Sequence, residues 1–171
     1  MHKRTLGLAL ILSTVTIASP STFAEATADE YAQAQKPPPP QPPAAATTNN
    51  VSVTVNYTGK GTVDPGHAIL VFLFSDPNIG AQSTPLGSPQ IIEKNGGTAT
   101  FKDVSASPVY IAVVYNEKGD YTGVGGPPPV GTPVAVYSKD PKDPSSPALA
   151  VTPGPKTTVK VAFSDARRFA G

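Results

Sequence analysis

Val51-Ser52-Val53-Thr54-Val55-Asn56-Tyr57 is the stretch that decides the fold. Apolar residues occupy every second position, with hydroxyl and amide side chains between them. Successive side chains of a strand point to opposite faces, so this spacing predicts a strand with one face in a core and the other in water. It ends at Gly59-Lys60-Gly61. Two later runs, Ala68 to Phe74 and Val109 to Tyr115, are apolar at both parities. Pro65-Gly66 and Asp76-Pro77 bound the first and Pro108 opens the second, so both read as central strands covered on both faces. Alternation returns in Thr157 to Phe163, with Val159, Val161 and Phe163 inward and Thr158 and Lys160 outward.

Between these strands, Asn95-Gly96 predicts a two-residue type I′ hairpin, setting Ile92 opposite Ala99 and Glu93 opposite Thr98. Ile92, Ala99 and Phe101 would then share a face. Gly61–Val63 and Pro133–Ser138 are weaker strand candidates, and no window longer than ten residues carries helical spacing. The fold expected is all-β: a single antiparallel, immunoglobulin-like sandwich of about seven strands over residues 51–165. A closed barrel competes with it, but the long irregular span from Asn116 to Lys156 disfavours a continuous ring of strands.

Composition agrees. The chain has 171 residues, of which 21 are proline and none is cysteine. Proline removes a backbone donor and clashes inside helices, which argues against a helical bundle. Without cysteine there is no disulfide framework, thiol nucleophile or thiolate metal site. The start, with Lys3 and Arg4 followed by an uncharged apolar run from Leu6 to Ala18, reads as an export signal over residues 1–26. Pro20 precedes the small-residue sites Thr22-Phe23-Ala24 and Ala24-Glu25-Ala26. An uncleaved anchor is the alternative, and the run falls short of the roughly 20 residues that span a bilayer. Residues 27–50 carry six prolines between Pro37 and Pro43 and read as a Pro-rich disordered linker, an extended strut. Residues 166–171 read as a short basic tail. The formal charge of +1 falls to zero once Lys3, Arg4 and Glu25 leave with the signal, which leaves no field to attract nucleic acid or anionic lipid. The expected location is periplasmic or secreted, with no membrane insertion after cleavage.

Five stretches, in order, resemble bacterial exported domains of the transthyretin-like class, close to carboxypeptidase regulatory-like and CnaB-type modules. They are GTVDPGHAILV (61–71), ATFKDV (99–104), VYIAVVYNEKGDY (109–121), GTPVAVY (131–137) and VTPGPKTTVKVAFSD (151–165). Phe101 and Tyr110 match the family pattern of a strand leading into a Tyr-bearing strand, while Ser107-Pro108 stands where the family usually has Gly. The resemblance implies a transthyretin-like sandwich with structural, adhesive or carbohydrate-binding accessory roles.

The residues offer few catalytic arrangements. His67 is the one histidine left after the signal, without a Gly-x-Ser-x-Gly elbow, and Asp64 beside Pro65-Gly66 reads as a turn residue. Glu93, Glu117, Asp120, Asp140 and Asp143 read as solvated charges rather than a glycosidase pair. Asn116 to Asp120 and Lys139 to Asp143 offer oxygen ligands for calcium, but lysines interrupt both. The expectation is a protein that is not an enzyme, with no cofactor and no metal. Residues 116–147, rich in glycine and holding Pro127-Pro128-Pro129, are the best functional candidate. In them Tyr121 and Tyr137 are candidate ligand-binding residues for a carbohydrate or peptide; the alternative is a lid with both rings packed. Expected partners are a cell-envelope protein or glycan.

Overall fold

The computed structural model describes residues 48–171, so the signal segment and nearly all of the Pro-rich linker lie outside the described residues. Seven strands follow in order: β1 (Val51–Tyr57), β2 (Ile69–Phe74), β3 (Gln90–Ile92), β4 (Thr98–Phe101), β5 (Tyr110–Tyr115), β6 (Val134–Val136) and β7 (Thr158–Phe163). They form two sheets, β4-β1-β7 and β3-β2-β5-β6, and no helix occurs among the described residues. The all-β sandwich expected from the sequence is the fold observed.

Side-chain parity builds the core. Val51, Val53 and Val55 are fully buried between the sheets, while Ser52 and Thr54 face out and meet Thr100 and Thr98 hydroxyls at 3.4 and 2.8 Å. Ile69, Val71 and Leu73 of β2 and Ile111, Val113 and Tyr115 of β5 enter the same core from the other sheet. The opposite parity is also buried: Leu70, Phe72, Phe74, Ala112, Val114 and Val136 form a second apolar cluster on the outer face. Both doubly apolar runs are therefore inner strands of the four-stranded sheet, covered on both sides.

Three features depart from the sequence reading. The first is the hairpin: Ile92 pairs with Ile69 on β2 and Ala99 pairs with Val53 on β1, so the two flanks of Asn95-Gly96 lie in different sheets. Asn95 lacks the positive φ that a type I′ turn demands; only Gly96 has it, at 77°, and Gly97 N–H closes the turn on Lys94 C=O at 3.0 Å. What holds the crossover is the Asn95 amide. Its Oδ1 accepts from Tyr57 N–H and its Nδ2 donates to Tyr57 C=O, both at 2.7 Å, so it continues the ladder past the end of β4. A Cβ at Gly97 would stand 2.7 Å from Ile92 Cγ2, which explains a second glycine here.

Second, β7 pairs with β1 in parallel, with Tyr57 opposite Phe163, so one ladder of an otherwise antiparallel sandwich runs the other way. Third, Gly61–Val63 is not a strand. Its backbone instead wraps Tyr115, whose hydroxyl donates to Thr62 C=O at 3.0 Å, and a Cβ at Gly61 would overlap that ring. The other weak candidate, 133–138, is realised as β6 with a bridge from Ser138 to Ala148.

The ends of β1 and β7 are locked by a polar aromatic clasp. Tyr57 donates its hydroxyl to Asp165, whose other oxygen accepts from Lys60 N–H at 3.0 Å. The Tyr57 ring lies 4.4 Å from Tyr115 and 5.1 Å from Phe163, centroid to centroid. Burial and the neighbouring carboxylate push the Tyr57 phenol well above its ordinary value, while the Tyr57 and Lys60 donors hold Asp165 below the usual carboxylate range.

Two measurements check this architecture. Asn95→Ala leaves the Tyr57 amide and carbonyl without partners and is expected to cost about 1–3 kcal/mol in urea unfolding; a change within about 0.5 kcal/mol, as at an ordinary surface turn, would reduce Asn95 to a turn former. Because the folded-state value of Asp165 lies below the unfolded one, its contribution is complete above the carboxylate range and is lost as pH falls through it. Asp165→Asn should therefore lower Tm at pH 7, and the gap to the natural protein should close as both are melted at pH values below about 4. A gap that stays constant with pH contradicts the clasp.

Candidate functional site

The outer face of β3-β2-β5-β6 has no second sheet over it, yet its apolar cluster is buried. The cover comes from loops. Residues 75–89, after β2, bring Ile79 onto the face, and residues 116–133, after β5, bring Tyr121. Between them remains a cleft of about 390 Å³, floored by Phe72, Phe74, Ala112 and Val114 and walled by Ile79, Tyr121, Pro127 and Pro128.

Tyr121 is fixed at both ends. Asn116 Oδ1 accepts from its backbone N–H at 3.1 Å, its ring stands 6.4 Å from that of Phe72, and its hydroxyl donates to Gly126 C=O at 3.1 Å. Burial pushes its phenol above the ordinary value. The loop is thus a lid and, in the same geometry, one wall of a cleft. Its tip does not fold back: Val124 and Val130, on either side of the three prolines, are 75% and 71% exposed.

Tyr137 is placed elsewhere. Along β6 the parity alternates, with Val134 and Val136 on the outer cluster and Ala135 and Tyr137 against the inter-sheet core. The two candidate tyrosines therefore do not converge; Tyr121 lines the cleft and Tyr137 packs on the other side of the sheet. The 116–147 stretch is also not one loop, since β6 and the Ser138–Ala148 bridge divide it.

The C-terminal segment, read from sequence as a tail, forms the third wall. It runs along the edge of β6, with Val134 N–H donating to Arg167 C=O at 3.0 Å and Phe169 N–H to Thr132 C=O at 2.9 Å. Arg167 and Phe169 line the cleft. Arg168 faces away from it in its bonding, to Glu117 at 2.8 Å and to Gly131 C=O at 2.6 Å. Sequence reasoning passed over Arg167, Phe169 and Ile79; the isolated apolar Ile79 and Phe169 were the only signal, and nothing in the pattern marked Arg167.

The remaining candidates are turn residues in this geometry. Asp64 accepts from Gly66 and His67 N–H at 2.8 and 2.9 Å, its Oδ1 stands 3.0 Å from His67 Nδ1, and those donors hold its carboxyl below the usual range. No hydroxyl is hydrogen-bonded to His67 among the described residues. Asp140 accepts from Lys142 N–H at 3.0 Å and Asp143 from Ser145 N–H at 2.8 Å. Among the described residues no three His, Asp or Glu side chains converge as metal ligands. Glu93 and Asp120 are exposed.

Comparison with protein families, with curated proteins and with solved structures finds no match to this chain. The transthyretin-like resemblance rests on the five quoted stretches alone.

Offset aromatic pairs with centroids 4.5–7 Å apart couple by about 0.5–1.5 kcal/mol beyond their buried area. A double-mutant cycle on Phe72→Ala and Tyr121→Ala, followed by urea unfolding, should show a coupling of that size. The cycle of Phe72→Ala with Tyr137→Ala should be additive, since the sheet separates the two side chains.

Proposed function

We propose that the protein is an exported, noncatalytic β-sandwich module with a structural or protein-interaction role in the cell envelope, and that the outer cleft and its rim make the contact. The observation that carries this reading is the tip of residues 123–130. Large exposed apolar side chains are ordinary when scattered, but here two flank three consecutive prolines at the mouth of an apolar cleft. Proline lowers the entropy lost when such a tip is held in one shape, which suits a surface that must present side chains to a partner.

Export is supported by the basic start, the apolar run from Leu6 to Ala18 and the small-residue sites after it. The prolines from Pro37 to Pro43 suit a spacer that holds the sandwich away from its surroundings. Transthyretin-like accessory modules, which the five stretches resemble, fit the same role. The second reading, a carbohydrate- or peptide-binding module, has Tyr121 on its side. Its weakness as a sugar platform is geometric: the ring sits beside Phe72 and its hydroxyl is already bonded to Gly126.

A photo-crosslinking residue in place of Val124 or Val130, in the full chain expressed in its own cells, should capture a discrete envelope partner. The same residue at Lys160, on the outer face of the opposite sheet, should not. Identical products from both faces, or none from the tip, would end the proposal.

A further inference from the structure

The cleft holds one feature that packing alone does not explain. Arg167 is the one charged residue among those lining it, it is only partly buried, and it forms no ion pair among the described residues; its Nη1 is turned away from solvent, so any ligand would meet the rest of the side chain. The other polar side chains are occupied or open to water: Ser83 Oγ donates to Asn78 C=O at 3.0 Å and accepts from Gly80 N–H at 2.9 Å, Tyr121 Oη donates to Gly126, and Gln82 and Thr84 are exposed. Neighbouring Arg168 shows the usual outcome, a guanidinium paired with a carboxylate. The Ser145 hydroxyl and amide hold the Asp143 carboxyl below the usual range, with Arg167 adding a smaller pull, and Asp143 forms no ion pair with Arg167.

A partly desolvated guanidinium at the wall of an apolar cleft, with no carboxylate paired to it, favours an anionic partner. The Arg167 backbone is anchored to Val134, so the charge is carried on the fixed edge of a sheet rather than on a loose end. Resting on the reading of this cleft as the contact site, we infer that it binds a small amphipathic carboxylate, an aliphatic acid of medium chain length, with its head on Arg167 and its chain over Phe72 and Phe74.

Each part of that ligand follows from the walls. One cation matches a singly charged head, and guanidinium and carboxylate are complementary in shape as well as charge. An apolar floor without spare donors or acceptors rejects a sugar, whose hydroxyls would lose their water without replacement. At about 390 Å³ the cleft is near the lower end of ligand pockets, which suits a short chain.

Calorimetric titration of the full mature chain with octanoate, 1-octanol and octylammonium tests the assignment. Octanoate should bind at least tenfold tighter than octanol, and octylammonium weakest. Lengthening from hexanoate to octanoate should tighten binding by roughly fourfold per methylene. Arg167→Gln, checked for an unchanged Tm, should bring octanoate down to the level of octanol, and Arg167→Lys should restore part of the difference. Equal binding of octanoate and octanol to the natural protein, or octanoate binding undiminished in Arg167→Gln, overturns the anion assignment. Absence of binding by all three probes overturns the ligand class. Crosslinking from Val124 that persists in Arg167→Gln would then leave the contact reading standing alone.

Discussion

A two-sheet sandwich covers one face of each sheet, and in this protein one sheet is apolar on both. β2 and β5 bury Ile69, Val71, Ile111 and Val113 inward and Leu70, Phe72, Phe74 and Val114 outward. Burying a side chain of this size is worth about 1.5–3 kcal/mol, so the outer cluster alone rivals the net stability of about 5–15 kcal/mol typical of a domain. The cover over it is therefore part of the fold. Sheet β4-β1-β7 has no such need: Ser52, Thr54, Thr98, Thr100 and Lys160 face outward and keep their water or meet each other.

The manner of covering decides where a cleft arises. A second sheet would interdigitate with the outer cluster at near-crystalline density. Irregular segments cannot do this along their whole length, because their own backbone polar groups need partners as well. They touch the face at selected points. At Gly123 the backbone comes so close that a Cβ would lie 2.6 Å from Pro89 and 2.8 Å from Leu70, and at Tyr121 a ring is set beside Phe72. Between such points space remains. A void over a loop-covered face is thus a packing outcome by itself; Arg167, without an ion pair among the described residues, and the exposed valines at the rim are what raise this one above that.

Local patterning predicted faces well and partners poorly. Parity in 51–57 and 157–163 identified every inward residue of β1 and β7, and double apolarity in 68–74 and 109–115 identified the inner strands. Asn95-Gly96 misled because the pair reports only that the chain turns. The strand that the Asn amide bonds, β1, is remote in sequence and leaves no trace at 95. Tyr121 and Tyr137 were grouped because both lie in one aromatic, proline-rich stretch. With valine and alanine at both parities of 134–136, periodicity could not show that Tyr137 belongs to the inter-sheet core. The edge pairing of Arg167 to Phe169 was invisible for a different reason: it uses backbone groups, which every residue carries.

The parallel ladder between β1 and β7 links these misreadings to the site. Parallel pairing brings the C-terminal ends of both strands together, Tyr57 beside Phe163. Asp165, two residues on, thereby meets the Tyr57 hydroxyl and the Lys60 amide, which fixes the chain as it leaves the first sheet. From that point it reaches the edge of β6 within two residues, with Arg167 bonded to Val134. Antiparallel pairing would have released the chain beside Val51, at the other end of β1. The charged residue that lines the cleft is therefore positioned by the direction of one strand in the opposite sheet, with the Tyr57–Asp165 clasp as the pivot between them.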